Sequence, residues 1–357
     1  MDATGEVNGA VALVVFVLCA ALALWFGRNV WGSGGSASVL LLQRQRGGVD
    51  PVDWPEWADA HVERGHHSPF AHEYLALARA AGLAARDEVI AARTALGHYE
   101  VNPDDGRVIT LLALGASRAG DWHDARRLCE SVVDRSPSLD RIWLMSGWMQ
   151  HGDLLLFTDE ADRLLVRSTS WSDGDRARLR RIVTDVSLND PSSEHSRRLS
   201  DLDVATGAVL ASVPTGAASE RVEVALLQAS LAVQFSRGGR VTDAVGLLGR
   251  TVAPLGVPRP YVSAILSLAQ AEVSAAAERT IDHSRETCRT IEHAMAQQGL
   301  RSVVPMALLA QAWVEHHAGN RSATDMSLRV ASDLQRQLGA FGGVREVETS
   351  SRLLGLG

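Results

Sequence analysis

From residue 69 onward, apolar side chains recur three or four positions apart, the spacing that lines one face of an α-helix. Ile109, Leu112, Ala113 and Ala116 form such a stripe, and Trp122, Ala125, Leu128, Cys129, Val132 and Val133 form the next. The pattern predicts earlier helices around Tyr74, Leu77 and Ala78 and around Val89, Ala92, Leu96 and Tyr99. It predicts another pair within 138–168, carrying Trp143 and Trp148 and then Leu164 and Leu165, and a helix over 175–188. Downstream it predicts helices near 222–236, 241–252, 261–276, 281–296, 302–317 and 322–338, closed by a short one at 344–354. Residues 189–219 break the period. They are rich in Ser, Gly, Pro and Asp and are expected to form an irregular connection.

Neither helix of the 108–137 pair can bury its stripe alone, so the two must pack together. Gly120 lies between two stripes, where a left-handed backbone can stop one helix and start the next, and Pro137 closes the second. The stretch Ser117-Arg118-Ala119-Gly120-Asp121-Trp122-His123-Asp124-Ala125 returns as Ser236-Arg237-Gly238-Gly239-Arg240-Val241-Thr242-Asp243-Ala244, with five of nine positions identical. Shorter echoes occur at Gln150-His151-Gly152-Asp153 and His317-Ala318-Gly319-Asn320.

These residues resemble the tetratricopeptide repeat, a pair of antiparallel helices of about 34 residues with Gly in the turn, a small residue early in the second helix and a closing Pro. Gly120, Ala125 and Pro137 stand at those places, and Pro103 precedes Pro137 by one such period (137 − 103). Ala113 and Ala116 depart from the family's usual Gly and Tyr. The resemblance covers roughly residues 69–357 and implies an all-α fold, a solenoid of helix-turn-helix repeats. The closing segment is also similar, at the level of fold, to the C-terminal repeats of large bacterial signalling ATPases and transcriptional activators.

Upstream the pattern changes. Glu6 and Arg28 bracket an uncharged run in which residues 11–26 are almost wholly apolar, long enough to cross a hydrocarbon core of about 30 Å. The expected organisation is therefore a tail over 1–9, a transmembrane helix over 10–27 and a flexible linker over 28–50 containing Gly-Ser-Gly-Gly-Ser. A first repeat block over 51–188, a connection over 189–219 and a second block over 220–357 follow. Asp2 and Glu6 precede the span whereas Arg28, Arg44 and Arg46 follow it, so the positive-inside tendency places the repeat domain in the cytoplasm of a single-pass membrane protein.

Composition narrows the chemistry. All 35 basic side chains are Arg, which removes P-loop, Schiff-base and protein-kinase lysines together. A net charge of −7 argues against nucleic acid as a partner. Cys19, Cys129 and Cys288 are too scattered for a disulfide framework or a metal pair, and the His61, His66, His67 and His72 group lacks the spacing of helical ligands. Asp201-Leu202-Asp203 lacks the preceding apolar strand of a phosphatase aspartate pair. No enzyme activity, cofactor or metal is expected.

What the resemblance implies is binding, because the first helix of each repeat lines a concave surface. Projecting its positions gives Arg107, Thr110, Leu114 and Arg118 from one repeat and Arg141, Met145 and Trp148 from the next as partner-binding residues. Arg107 and Arg141 occupy equivalent places and would hold a carboxylate, with Met145 and Trp148 as an apolar anchor. The expected function is a membrane-anchored scaffold or adaptor that docks a partner protein. The alternative is a regulatory or sensory repeat protein that binds a peptide or small ligand.

Overall fold

The computed structural model describes residues 39, 41–64, 69–97, 106–130, 218–250, 259–278 and 280–356. Among the described residues every regular element is helical, so the fold is all-α. They fall into two compact units, 1–79 and 80–357.

In the first unit residues 41–46 are helical, a 3-10 turn at Pro51–Asp53 leads into α1 (Trp54–Glu63), and α2 (Pro69–Ala85) begins, its residues 80–85 counting with the second unit. Asp50 starts the turn by accepting a hydrogen bond from the Val52 amide, and Pro51 and Pro55 supply pre-set backbone angles at the helix starts. Trp54 is fully buried and donates from Nε1 to the Val49 carbonyl. The Arg46 guanidinium lies over the Trp54 ring at 4.3 Å and the Tyr74 ring at 5.3 Å. Leu42 packs with Ala58, Ala71 and Leu75. The core of this unit thus includes Leu42 and Arg46, which fall within the 28–50 stretch expected as a linker.

The second unit contains α3 (Val89–Leu96), α4 (Gly106–Arg118), α5 (Trp122–Glu130), α6 (Ala218–Arg237), α7 (Val241–Leu248), α8 (Pro260–Glu278), α9 (Ile281–Gln297), α10 (Val303–His317), α11 (Arg321–Gln337) and α12 (Phe341–Leu353). The six helices predicted downstream of 222 and the closing one are all present, each within a few residues of its expected ends. Successive helices pair as hairpins: α6 with α7, α8 with α9, α10 with α11. The first members, α6, α8 and α10, also pack side by side. Inner helices therefore make one layer and their partners another.

One turn recurs between them. At Gly120, Gly239, Gly299, Gly319 and Gly339 the backbone has φ of 76°, 79°, 76°, 74° and 72°, a region closed to most side chains. The amide after each glycine reaches back to close the helix end: Asp121 to the Ala116 carbonyl, Arg240 to Phe235 and Asn320 to Glu315. The inner helices begin at 218, 260 and 303, spaced by 42 and 43 residues (260 − 218, 303 − 260), longer than the 34 that Pro103 and Pro137 suggested.

Among the described residues no helix is long and apolar enough to cross a membrane; the predicted span 10–27 lies outside them, as do Pro103, Pro137 and the connection 189–219.

Candidate functional site

The inner faces of α6, α8, α10 and α12, with the C-terminal end of α4, line a cavity of about 190 Å³ that opens to solvent. On α6 the lining residues run Leu226, Ala229, Ser230, Val233, Gln234 and Arg237, one stripe at helical spacing. The face of α8 adds Tyr261, Ile265, Leu268, Ala269 and Glu272; α10 adds Met306, Leu309 and Ala310. The faces that α8 and α10 turn to the cavity are mainly apolar. Gln335, Gly343 and Glu346 close the far side. A Cβ at Gly343 would collide with the Gln335 amide, so glycine there lets α12 approach α11.

Two arginines mark the polar ends of this cavity. Arg237 donates from Nε and Nη2 to the two oxygens of Glu272 at 2.7 and 3.0 Å, and from Nη1 to Glu346 at 3.2 Å. It also lies over the Trp313 ring at 5.4 Å. Burial opposes its charge, but the two carboxylates outweigh that and hold the guanidinium firmly protonated. Burial raises the Glu272 carboxyl above the usual carboxylate range against the opposing pull of Arg237.

Arg118 is buried to 5% exposure and donates from Nη1 to Asp87 Oδ1; the other Asp87 oxygen accepts from the Tyr261 amide at 3.1 Å. The Arg118 guanidinium lies 4.7 Å from the centre of the Tyr261 ring. Its Nε has no hydrogen-bond partner. Arg118 and Arg237 are the second residues of the two matching nonapeptides, so each of the two matching glycine turns also delivers a buried arginine to the cavity.

Of the residues projected from the repeat, Arg118 lines the cavity. Thr110 is buried inside the packing of α4, and Leu114 is half-buried on the same helix. Arg107 falls on α4 with its side chain outside the described set, and Arg141, Met145 and Trp148 lie outside the described residues altogether.

No protein-family model and no curated protein matches the chain.

The sequence projection passed over Arg237, Glu272, Glu346, Tyr261 and Gln335. Arg237 carried a usable signal, its identity with Arg118 in the nonapeptide match. Its partners carried none, since Glu272 and Glu346 meet it from 35 and 109 positions away. Two further titratable side chains among the described residues are shifted by burial. Cys288 is fully buried, and burial pushes its thiol up to about 12, far from a nucleophilic thiolate. His317 is held below its ordinary range by burial and by neighbouring His316. Among the described residues no three His, Cys, Asp or Glu side chains are grouped as metal ligands.

Proposed function

We propose that this is a non-catalytic docking protein, a solenoid of degenerate tetratricopeptide-like pairs held at a membrane by the apolar segment 10–27, with the repeats on the cytoplasmic side. The recurring glycine turns and the two-layer hairpin packing support the repeat reading, with a period stretched to 42 and 43 residues by inner helices of 19 and 20 residues. The observation that carries the functional reading is the groove itself. Consecutive inner helices present an apolar floor edged by paired charges, the arrangement that receives a segment of another protein. Anchoring at the bilayer raises the effective concentration of such a partner beside the membrane.

Site-specific photo-crosslinking in membranes tests this. A crosslinking amino acid at Gln234, on the groove, should yield one discrete adduct. The same group at Met326, which is 67% exposed on α11 away from the groove, should not. Adducts at both positions alike, or at neither, would sink the docking reading.

A further inference from the structure

Arg118 and Arg237 stand at equivalent places in the repeat yet are not equally satisfied. Arg237 uses three donor atoms on two carboxylates, Glu272 and Glu346. Arg118 spends one, Nη1, on Asp87, and it makes no other side-chain hydrogen bond among the described residues. Its Nε is buried and unpartnered although the side chain lines the cavity. A buried guanidinium normally fills its planar fork, because each donor taken from water and left bare costs stability. Asp87 on Nη1 stands where Glu346 does beside Arg237, but the place that Glu272 takes on Nε and Nη2 has no counterpart beside Arg118.

The cavity beside that bare fork has Ile265, Met306 and Ala310 on its walls together with Ser117 and Ser302, and the Tyr261 ring lies beneath the guanidinium. Its volume of about 190 Å³ exceeds the roughly 150 Å³ of cavities that hold benzene. From these observations we infer that the Arg118 end of the cavity is a binding site for a small organic acid, a carboxylate on an apolar body somewhat larger than benzene. The carboxylate takes the free Nε edge of the Arg118 fork, as Glu272 does at Arg237, and the apolar body fills the space between α8 and α10. This goes beyond partner docking and stands whether or not a protein occupies the groove.

The test uses the full chain in lipid nanodiscs, titrated calorimetrically with 3-phenylpropanoate, with its amide and its alcohol, and with empty nanodiscs as the blank. The acid is expected to bind about tenfold or more tighter than either neutral analogue, the margin of a charge-assisted pair. Arg118→Gln should bring the three ligands to within about twofold of each other, by the same argument. Because Arg118→Gln also strands Asp87 and can fail to fold, Ala310→Leu provides a second arm. It fills the cavity and leaves the ion pair intact, and it should abolish binding. Acid and amide binding equally to the wild type would overturn the carboxylate assignment, and unchanged binding to Ala310→Leu would overturn the location. No heat with any of the three ligands would overturn the site, while leaving the crosslinking result at Gln234 to judge docking separately.

Discussion

At Asp87 a carboxylate occupies a backbone position that elsewhere among the described residues goes to glycine. Its φ is 69°, and the following amide closes the helix end on the Leu83 carbonyl as in the glycine turns. Asp tolerates this conformation better than most residues, and here its side chain supplies the counter-charge for Arg118 and an acceptor for the Tyr261 amide. Replacing it sets two effects against each other. Asp87→Gly relieves the backbone by about 1 kcal/mol but leaves a buried guanidinium unpaired, at a cost of about 3 kcal/mol or more. The loss should win, and urea denaturation would show Asp87→Gly clearly destabilised; a neutral or stabilised variant would mean the ion pair does not hold this end of the cavity. A second residue reports on pH. Glu315 is held below the usual carboxylate range first by its hydrogen bonds to Arg285, at 2.6 and 2.9 Å. A depressed folded pKa contributes stability above the carboxyl's ordinary range and loses it as pH falls through the lowered value. Glu315→Gln should cost about 2 kcal/mol at pH 7, with the gap to wild type closing below about pH 4. His317 also favours its neutral form in the fold, so it too loses stability on the acid side, equally in both proteins. A gap that stays constant across that range would show that charge is not what Glu315 contributes.

Among the elements, the glycine turns separate backbone demand from packing demand. At Gly239 a Cβ would meet nothing within 4 Å, so Gly239→Ala pays for the left-handed backbone alone, about 1 to 2 kcal/mol. At Gly120 the Cβ would come within 2.9 Å of Leu338 Cδ2 and 3.3 Å of Arg301 Cβ. Gly120→Ala should therefore cost about 1 to 3 kcal/mol more, the penalty of overpacking. Thermal unfolding of the two variants side by side measures this, and equal costs would mean the α4–α5 turn is not packed in solution. These elements are also where the sequence was most readable. The helices from α6 to α12 follow from apolar spacing and from Gly239, Gly299, Gly319 and Gly339, because amphipathic period and left-handed turns are local properties. The cavity was much less readable. Its members are chosen by which distant helices meet, as when Asp87 finds both Arg118 and Tyr261, and no local spacing encodes that. The nonapeptide match was the exception, since it places Arg118 and Arg237 at the same point of two turns and both line the cavity.

Across the second unit, the α4–α5 turn docks on two turns from far along the chain. The Arg118 carbonyl accepts from both the amide and the hydroxyl of Ser302, at 3.2 and 2.8 Å, and Arg301 Nε donates to the Ala119 carbonyl at 3.0 Å. Trp122 and Ala125 pack with Ala340, and Leu338 joins them. Two backbone carbonyls at a helix end, which would otherwise need water or a cap, are thus satisfied by side chains more than 180 positions later. Helices α3 to α5 are consequently bound into the same structure as α9 to α12, and the groove keeps Arg118 at its end only while this contact holds. Trp122→Ala should remove about 3 kcal/mol or more of packing. Its effect should extend beyond its own hairpin. In native-state hydrogen exchange read by mass spectrometry, amides of 299–303 and 338–341 should lose protection together with those of 118–126, while α7 keeps its own, since opening follows contact rather than chain order. If the loss stayed within 106–130, the two ends of this unit would be independent in solution, and the Arg118 end of the cavity would then have to be assembled without the Ser302 contact.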